Sequence, residues 1–313
     1  MKLMLKKFLR AFLLFFGLGS GLALTTALAY WLSDRSNGSL VSSGVKRKYL
    51  LYVPKSYNPA RPVPLVISIH GYAEWPAHQM EQSHWNTLAE QYGFIVVYPS
   101  GLGLPKRWRI GGIPDRPSSP QPEVAFLSAL IDKLAGQYNI DPARIYANGF
   151  SNGGGMSFAL ACQLSERIAA FGSVAGAYLL PWDECHTARP VPGILFHGTA
   201  DPVVPYLGGP SSSFKLPFPP VPDWVEALSQ NNGCADPPRA LPASGKVSGV
   251  SYDGGTDGAE VVFYTVADGG HTWPGGKSLP RYIAGVTSAD IDATRTMWEF
   301  FQRHPMPGNG RED

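Results

Sequence analysis

The 313-residue sequence is poor in charged residues and lacks the common metal-binding motifs. Asp, Glu, Lys and Arg make up 16% of the chain, and 26 cations against 24 anions leave a net charge of +2. Without a basic patch, the composition argues against a nucleic-acid partner. The chain has no H-E-x-x-H motif and no cluster of Cys and His residues, so we infer no metal and no other cofactor.

Cysteines are also few. The three, Cys162, Cys185 and Cys234, permit one disulfide and leave one thiol. Their spacing does not determine the pairing, and Cys162 is equally compatible with a buried reduced residue.

The N-terminal segment differs in kind from the rest of the chain. Its four cations are Lys2, Lys6, Lys7 and Arg10. They precede an apolar stretch over 11–32, in which Ala27-Leu28-Ala29 offers a small-residue cleavage site. The pattern predicts a signal peptide over 1–29 and a secreted or periplasmic protein with a single domain over 30–313. The alternative is an uncleaved membrane anchor formed by residues 11–32, which would be the chain's only contact with a membrane.

The most informative motif is G-x-S-x-G, from Gly149 to Gly153. It lies between an apolar run that predicts a strand and a run that predicts a helix, which is the placement of a nucleophile elbow. The serine of such a turn takes a sparsely allowed backbone conformation, and the two glycines let neighbouring backbone approach closely. We therefore predict that Ser151 is a nucleophile beside a helix N-terminus that favours negative charge.

A serine nucleophile needs a base and an acid, which follow it in the order Asp or Glu, then His in this kind of sheet. Asp201 lies in the turn after an apolar strand pattern over 193–197. His271 lies in a glycine-rich loop after the predicted strand 261–266. We predict Asp201 as the acid and His271 as the base, whereas His197, inside a strand pattern, is expected to be structural.

Donors for an oxyanion are expected after an earlier strand, predicted over 64–70, which leads into Gly71 and Tyr72. We assign the backbone N–H groups of Tyr72 and Asn152 as the oxyanion hole, with Gly71 permitting the close approach. The alternative is that His70-Gly71 is only a turn.

Taken together, four motifs resemble the secreted esterase family that groups feruloyl esterases, acetylxylan esterases and polyhydroxybutyrate depolymerases. The motifs are Ile69–Tyr72, Gly149–Gly154, His197–Tyr206 and Gly270–Gly275, and the similarity extends from about Val45 to Phe301. The resemblance implies an α/β-hydrolase fold, with a mostly parallel central sheet flanked by helices, and a triad of Ser151, Asp201 and His271.

Two features depart from that family's pattern. Gln121-Pro122-Glu123 stands where many relatives carry paired aspartates, so a structural contact there is expected to differ. Relatives with a cysteine in the Asn-Gly-Cys segment often have a partner shortly before the histidine strand, but residues 250–255 contain none. Cys234 is therefore expected to be unpaired.

The alternation of short β-rich runs with helical patterns predicts an α/β domain. Strands are predicted near 47–53, 64–70, 94–98, 144–149, 170–175, 193–197 and 261–266. Helices are predicted near 79–92, 123–137, 153–164, 223–231 and 289–301.

Substrate contacts are expected from the loops at the carboxyl ends of the strands. Trp108 and Trp273 are predicted to hold an aromatic acyl group or a sugar face, with ordinary loop packing as the alternative. The proline-rich stretch 202–222 is expected to overhang the site.

We expect an exported serine esterase acting on feruloyl or acetyl esters of plant cell-wall polysaccharide such as xylan. The alternative within the same chemistry is a depolymerase of polyhydroxybutyrate or another polyhydroxyalkanoate. The alternative of another class is a non-catalytic carbohydrate-binding or cell-surface protein on the same fold, which would not need His271.

Overall fold

A computed structural model describes residues 35–112, 118–211, 213–277 and 280–307. The predicted signal peptide or anchor lies outside these residues. Residues from 36 onward belong to one compact unit. None of the helices in the described ranges has the length and apolar character needed to cross a membrane.

The described residues contain one ten-stranded sheet in the order β1-β2-β4-β3-β5-β6-β7-β10-β9-β8. The strands are β1 Gly38–Ser42, β2 Val45–Tyr52, β3 Val63–Ile69, β4 Ile95–Pro99, β5 Ile140–Phe150, β6 Ala170–Val174, β7 Gly193–Gly198, β8 Arg239–Ser244, β9 Val247–Tyr252 and β10 Val261–Val266. The six central strands pair in parallel, in the order β4-β3-β5-β6-β7-β10. The outer strands pair antiparallel. The predicted α/β-hydrolase architecture is confirmed.

Helices cover both faces of the sheet. They are α1 Pro76–Ser83, α2 Trp85–Tyr92, α3 Gln121–Ala135, α4 Asn152–Gln163, α5 Val221–Asn231, α6 Arg281–Ala284 and α7 Ala293–Arg303. The single helix predicted over 79–92 is two helices, because His84 between them has a left-handed backbone with φ 57°. The last helix begins four residues later than predicted, where the Asp292 side chain accepts a hydrogen bond from Arg295 N at 3.0 Å.

Strand β3 shows why the centre of the sheet was predictable. All seven of its residues are buried, as expected for a parallel strand covered by helices on both faces. Leu65, Ile67 and Ile69 contact one apolar cluster, formed with α3, α4 and α5, whereas Val66 contacts a second one, formed with α2 and α7. The core therefore consists of two layers separated by the sheet.

The strands that the sequence did not predict lie at the edges of the sheet. Five of the six β8 residues are exposed, so no alternation of buried and exposed positions marks the strand. β1 forms the opposite edge of the sheet, and none of its residues is buried. β9, which lies next to β8, does alternate, but its buried residues are Val247, Gly249 and Ser251, of which only Val247 is a large apolar residue. Backbone pairing, rather than an apolar pattern, holds β1 and β8 in place.

Cys162 in α4 and Cys185 form the disulfide, which the sequence left open, and Cys234 is unpaired as expected. The departure at Gln121–Glu123 also has a structural counterpart. Glu123 Oε2 accepts a hydrogen bond from the Arg47 guanidinium at 2.6 Å, and both side chains are buried. Arg47 stacks over the Phe126 ring at 4.0 Å, so this ion pair ties β2 to the start of α3.

Candidate active site

The predicted site residues gather where parallel strands end. Ser151 directly follows β5, Asp201 follows β7, His271 follows β10, and Tyr72 follows β3. The carboxyl ends of these strands lie on one edge of the sheet, which is where open α/β sheets place their ligand sites.

Ser151 occupies a sharp turn between β5 and α4. Its φ of 55° and ψ of −117° lie outside the ordinary regions for a residue with a side chain. A Cβ at Gly149 would lie 2.2 Å from the Gly153 carbonyl oxygen, and one at Gly153 would lie 2.2 Å from the Ile69 carbonyl oxygen. Both glycines are therefore required by close backbone contacts, which is the geometry predicted from the motif.

Asp201 and His271 are hydrogen-bonded, with 2.7 Å between His271 Nδ1 and Asp201 Oδ2. The other carboxylate oxygen accepts hydrogen bonds from the backbone N–H groups of Val203 and Val204, both at 2.8 Å. Because a carboxylate can only accept, the imidazole proton is on Nδ1 and the lone pair is on Nε2. This tautomer is the one that a general base requires.

The pKa of Asp201 reflects these neighbours. Burial alone would raise it, but the electrostatic interaction with His271 and the hydrogen bonds from His197 and His271 outweigh burial and hold the pKa well below its usual range. Asp201 therefore stays ionised at any physiological pH and continues to orient the imidazole.

His271 lies next to the elbow. Its backbone N–H donates to the Ala284 carbonyl at 2.6 Å, and its ring packs on Phe150, the residue before Ser151, with 4.8 Å between ring centroids. Within the described ranges, no hydrogen bond joins Ser151 Oγ to His271. Such contacts are often long in the absence of substrate and shorten when it binds.

His197 also contacts Asp201. Its Nε2 atom lies 2.9 Å from the Val204 carbonyl oxygen and 3.4 Å from Asp201 Oδ2. The ring is buried in β7, and its Nδ1 has no hydrogen-bond partner among the residues described. The structure thus places the His197 ring against Asp201 and Val204, and the ring does not line the cavity that contains Ser151.

In the loop after β3, hydrogen bonds hold the two successive peptide groups on either side of the Gly71 Cα. The Gly71 carbonyl lies 2.7 Å from His70 Nδ1, and His70 Nε2 accepts a hydrogen bond from Gly101 N at 2.9 Å. The Gly71 N–H donates to Glu74 Oε2 at 2.8 Å. Because a trans peptide points its C=O and N–H in opposite directions, fixing the Gly71 carbonyl also directs the Tyr72 N–H. Neither Tyr72 N–H nor Asn152 N–H donates to another described residue.

Trp108 lines the site, but hydrogen bonds hold it in the loop and little of its ring is exposed. The Asn152 side chain accepts from Trp108 N at 2.7 Å and donates to Trp108 O at 3.1 Å. The indole N–H donates to the His70 carbonyl at 2.9 Å. Trp108 lines the cavity but is 1% exposed, so most of its surface supports the loop.

A cavity of about 560 Å³ opens beside Ser151 and Asn152. The proline-rich stretch after Asp201 lines it with Val204, Phe214 and Phe218, in agreement with the expected overhang. Tyr72 lines the same cavity, and its ring meets Phe214 edge to face with 5.4 Å between centroids. The volume is typical of a small-molecule site with mostly apolar walls.

Trp273 lies elsewhere than expected. Its side chain is fully buried in the core layer that contains α7, and its indole N–H donates to Thr294 Oγ1 at 2.9 Å. It does not line the described cavity. Because Trp273 is two residues from His271, the sequence suggested a substrate contact. Instead, the Trp273 side chain packs into the core and anchors the loop that carries His271. Substrate contact by Trp273 is not supported.

Two site residues were not identified from the sequence. Glu74 fixes the Gly71 N–H, and its spacing of three residues from Gly71 in a turn was the available signal. Phe214 lies in an irregular proline-rich stretch with no periodic pattern, so nothing in the sequence indicated which of its residues would face Ser151.

The parallel sheet, its flanking helices and the sharp turn at Ser151 define the α/β-hydrolase class. Residues 47–206 match the family described as esterase PHB depolymerase. The chain belongs to this family, and it is a carboxylic-ester hydrolase.

Individual relatives agree with this assignment. Over 280 residues the chain is 30% identical to NocK of Nocardia uniformis subsp. tsuyamanensis, to which an esterase activity is attributed, with 83% of this chain and 80% of NocK covered. It is 28% identical over 236 residues to feruloyl esterase C of Emericella nidulans, covering 68% of this chain and 77% of that enzyme. The solved acetyl xylan esterase from Aspergillus awamori superposes with a TM-score of 0.53 at 16% identity, covering 82% of this chain and 94% of that one. This last similarity concerns the fold alone.

Proposed function

We propose that Ser151, His271 and Asp201 form the catalytic triad of this esterase. The observation that carries the proposal is the 2.7 Å hydrogen bond between His271 and Asp201 at the sheet edge where Ser151 occupies its strained turn. A non-catalytic binding protein on the same fold would need neither the ionised carboxylate nor the oriented imidazole.

The reaction has two halves. Ser151 Oγ attacks the ester carbonyl carbon while His271 Nε2 takes its proton, and Asp201 stabilises the imidazolium that forms. His271 then gives the proton to the departing alcohol oxygen, leaving an acyl group on Ser151. Water, deprotonated by His271, attacks the acyl-enzyme and releases the acid with Ser151 restored.

The developing oxyanion would be bound by the Tyr72 and Asn152 backbone N–H groups, which have no other acceptor among the described residues. Asn152 is the first residue of α4, so the helix N-terminus adds a favourable field. Removing one such donor typically lowers kcat by ~10²- to 10³-fold.

For the substrate, we propose a feruloyl or acetyl ester of plant cell-wall polysaccharide. The names of the feruloyl and acetylxylan esterase relatives and a cavity large enough for an aromatic acyl group support this choice. The family description, which names a PHB depolymerase, favours a polyester as the second candidate. Rates on methyl ferulate, acetylated xylan and a hydroxybutyrate oligomer, measured side by side, separate the two.

We also propose that the protein is exported, on the pattern of residues 1–32. Mass spectrometry of the native protein should find an N-terminus close to Tyr30. A retained Met1 in the membrane fraction would favour the anchor instead.

The test of the triad is Ser151→Ala, which should lower kcat by about 10⁴-fold or more with folding intact. Ser56→Ala is the matched control, because Ser56 is exposed and lies beyond the end of β2, which runs antiparallel to β4. A fluorophosphonate probe should label the wild type and the control but not Ser151→Ala. Retention of more than roughly a tenth of the activity would exclude Ser151 as the nucleophile.

A further inference from the structure

The charged residues described in the lining of the cavity beside Ser151 are all positive. Among the described residues that line it, three are cations and none is Asp or Glu. The cations are Arg107 and Arg109, from the loop after β4, and Lys215, from the loop after β7. Two separate loops therefore contribute cationic residues to the lining of one cavity.

None of the three has an ion-pair partner within the described ranges. The carboxylate of Glu123 is occupied by Arg47 at 2.6 Å. Burial is the main factor that lowers the pKa of Arg47, and the positive charge of Arg109 lowers it further. Arg109 is thus a second cation beside the Arg47–Glu123 pair, whose carboxylate is already bonded to Arg47.

The walls around these cations are largely apolar, with Ile110, Leu179, Leu216 and Phe218 among them. A cleft of low dielectric with charge of one sign focuses the field and concentrates counter-ions. Like charges without a counter-ion repel one another, and an anionic ligand would relieve that repulsion. An uncharged ester has no group that would do so.

We propose that the preferred ester carries a carboxylate on a part of the molecule remote from the reacting carbonyl. The proposal rests on the proposed function and narrows it to anionic substrates. A carboxylate on the alcohol side is present where a hydroxy acid or a uronic acid is esterified. A carboxylate on the acyl side is present in a half-ester of a dicarboxylic acid. The chemistry recognised is the same in both.

The test compares two pairs of esters that differ by a carboxylate and its uncharged amide. Monomethyl adipate against methyl adipamate examines the acyl side, and 3-acetoxybutyrate against 3-acetoxybutyramide examines the alcohol side. Acid released is measured by chromatography. In at least one pair, kcat/KM should be several-fold to roughly tenfold higher for the carboxylate, because exposed ion pairs are individually weak. The preference should shrink as NaCl is raised.

The variants Arg107→Gln, Arg109→Gln and Lys215→Gln should each lower the carboxylate-to-amide ratio about two- to fivefold. Lys46→Gln is the matched control, since it removes the same charge from an exposed position on β2 and should leave the ratio unchanged. The pair that shows the preference identifies which side of the ester carries the anion.

Equal rates within both pairs would overturn the inference. So would a preference that none of the three variants reduces, or one that Lys46→Gln reduces equally. Hydrolysis of 4-nitrophenyl acetate and of the esters of both pairs with no preference for the carboxylate would leave the proposed triad intact. That result would refute only the preference for an anionic substrate. A wild type that hydrolyses none of these esters, or one whose turnover Ser151→Ala leaves unchanged, would instead refute the proposed function and the inference together.

Discussion

Strand β7 and the loop that follows strand β10 each bring one histidine to the carboxylate of Asp201. His271, in the loop, bonds Oδ2 through Nδ1 at 2.7 Å, with 8% of its side chain exposed. His197, in the strand, contacts the same oxygen at 3.4 Å and has 1% of its side chain exposed. The strand's ladder and the Val204 carbonyl hold His197 in place, whereas the loop carries His271 to the elbow. Both rings therefore contact Asp201, and what distinguishes them is that the His271 ring also packs on Phe150, the residue before Ser151.

The largest expected effect concerns the roles of these two rings. His271→Ala should lower kcat by about 10³- to 10⁴-fold, because Ser151 loses its proton acceptor. His197→Gln should keep most of the activity, since an amide can still donate to the Val204 carbonyl. Steady-state kinetics on one soluble ester measures both variants. A larger loss in His197→Gln than in His271→Ala would reverse the assignment.

The second prediction concerns the carboxylate that the two histidines share. Because the folded-state pKa of Asp201 lies below its unfolded value of ~3.9, the unfolded chain binds a proton first as the pH falls. The stability that Asp201 contributes should thus be fully present above about pH 4 and be lost progressively below it.

Urea unfolding of the wild type and Asp201→Asn at pH 7 and pH 3 measures this contribution. The free energy of unfolding should fall more between the two pH values in the wild type than in the variant. Parallel losses would show that neither histidine stabilises the ionised carboxylate.

A third effect separates structure from chemistry at His197. His197→Ala should lower the free energy of unfolding by about 1–3 kcal/mol, because the buried Val204 carbonyl loses its donor. Thermal or denaturant unfolding measures it, with His197→Gln as the variant that retains a donor. If both variants unfold like the wild type, the strand does not depend on this ring.

The smallest effect concerns how the loop that carries His271 is anchored. Trp273→Phe removes the indole donor to Thr294 and should cost roughly 1 kcal/mol of stability, while changing the rates on feruloyl and acetyl esters equally. Unequal losses of rate on the two esters would show that Trp273 does influence substrate binding.

A further prediction concerns the wall of the cavity. Phe214→Ala removes an aromatic ring from this wall and should lower kcat/KM about two- to tenfold more for a feruloyl than for an acetyl ester of the same alcohol. Equal losses on the two esters would weaken the feruloyl proposal.

Residue type and order along the chain were sufficient to predict the central strands, the elbow glycines and the pairing of Asp201 with His271. Every residue of β3 and β7 is buried, and most are apolar, because both faces of these strands are covered. Only glycine fits at Gly149 and Gly153. These constraints act on residues close together in the chain, so they can be recognised from the sequence.

Other features depend on contacts between distant segments. The exposed strand β8 is held by backbone pairing, the Cys162–Cys185 bridge by the approach of two separate elements, and Trp273 by packing against α7. The sequence alone determined the sheet centre, the turn at Ser151 and the candidates for acid and base. Only the tertiary structure decided that Trp273 is buried, that Phe214 faces the cavity, and that Arg107, Arg109 and Lys215 meet there. The physical reason is that loop direction depends on what the loop packs against, and those partners are far away in sequence.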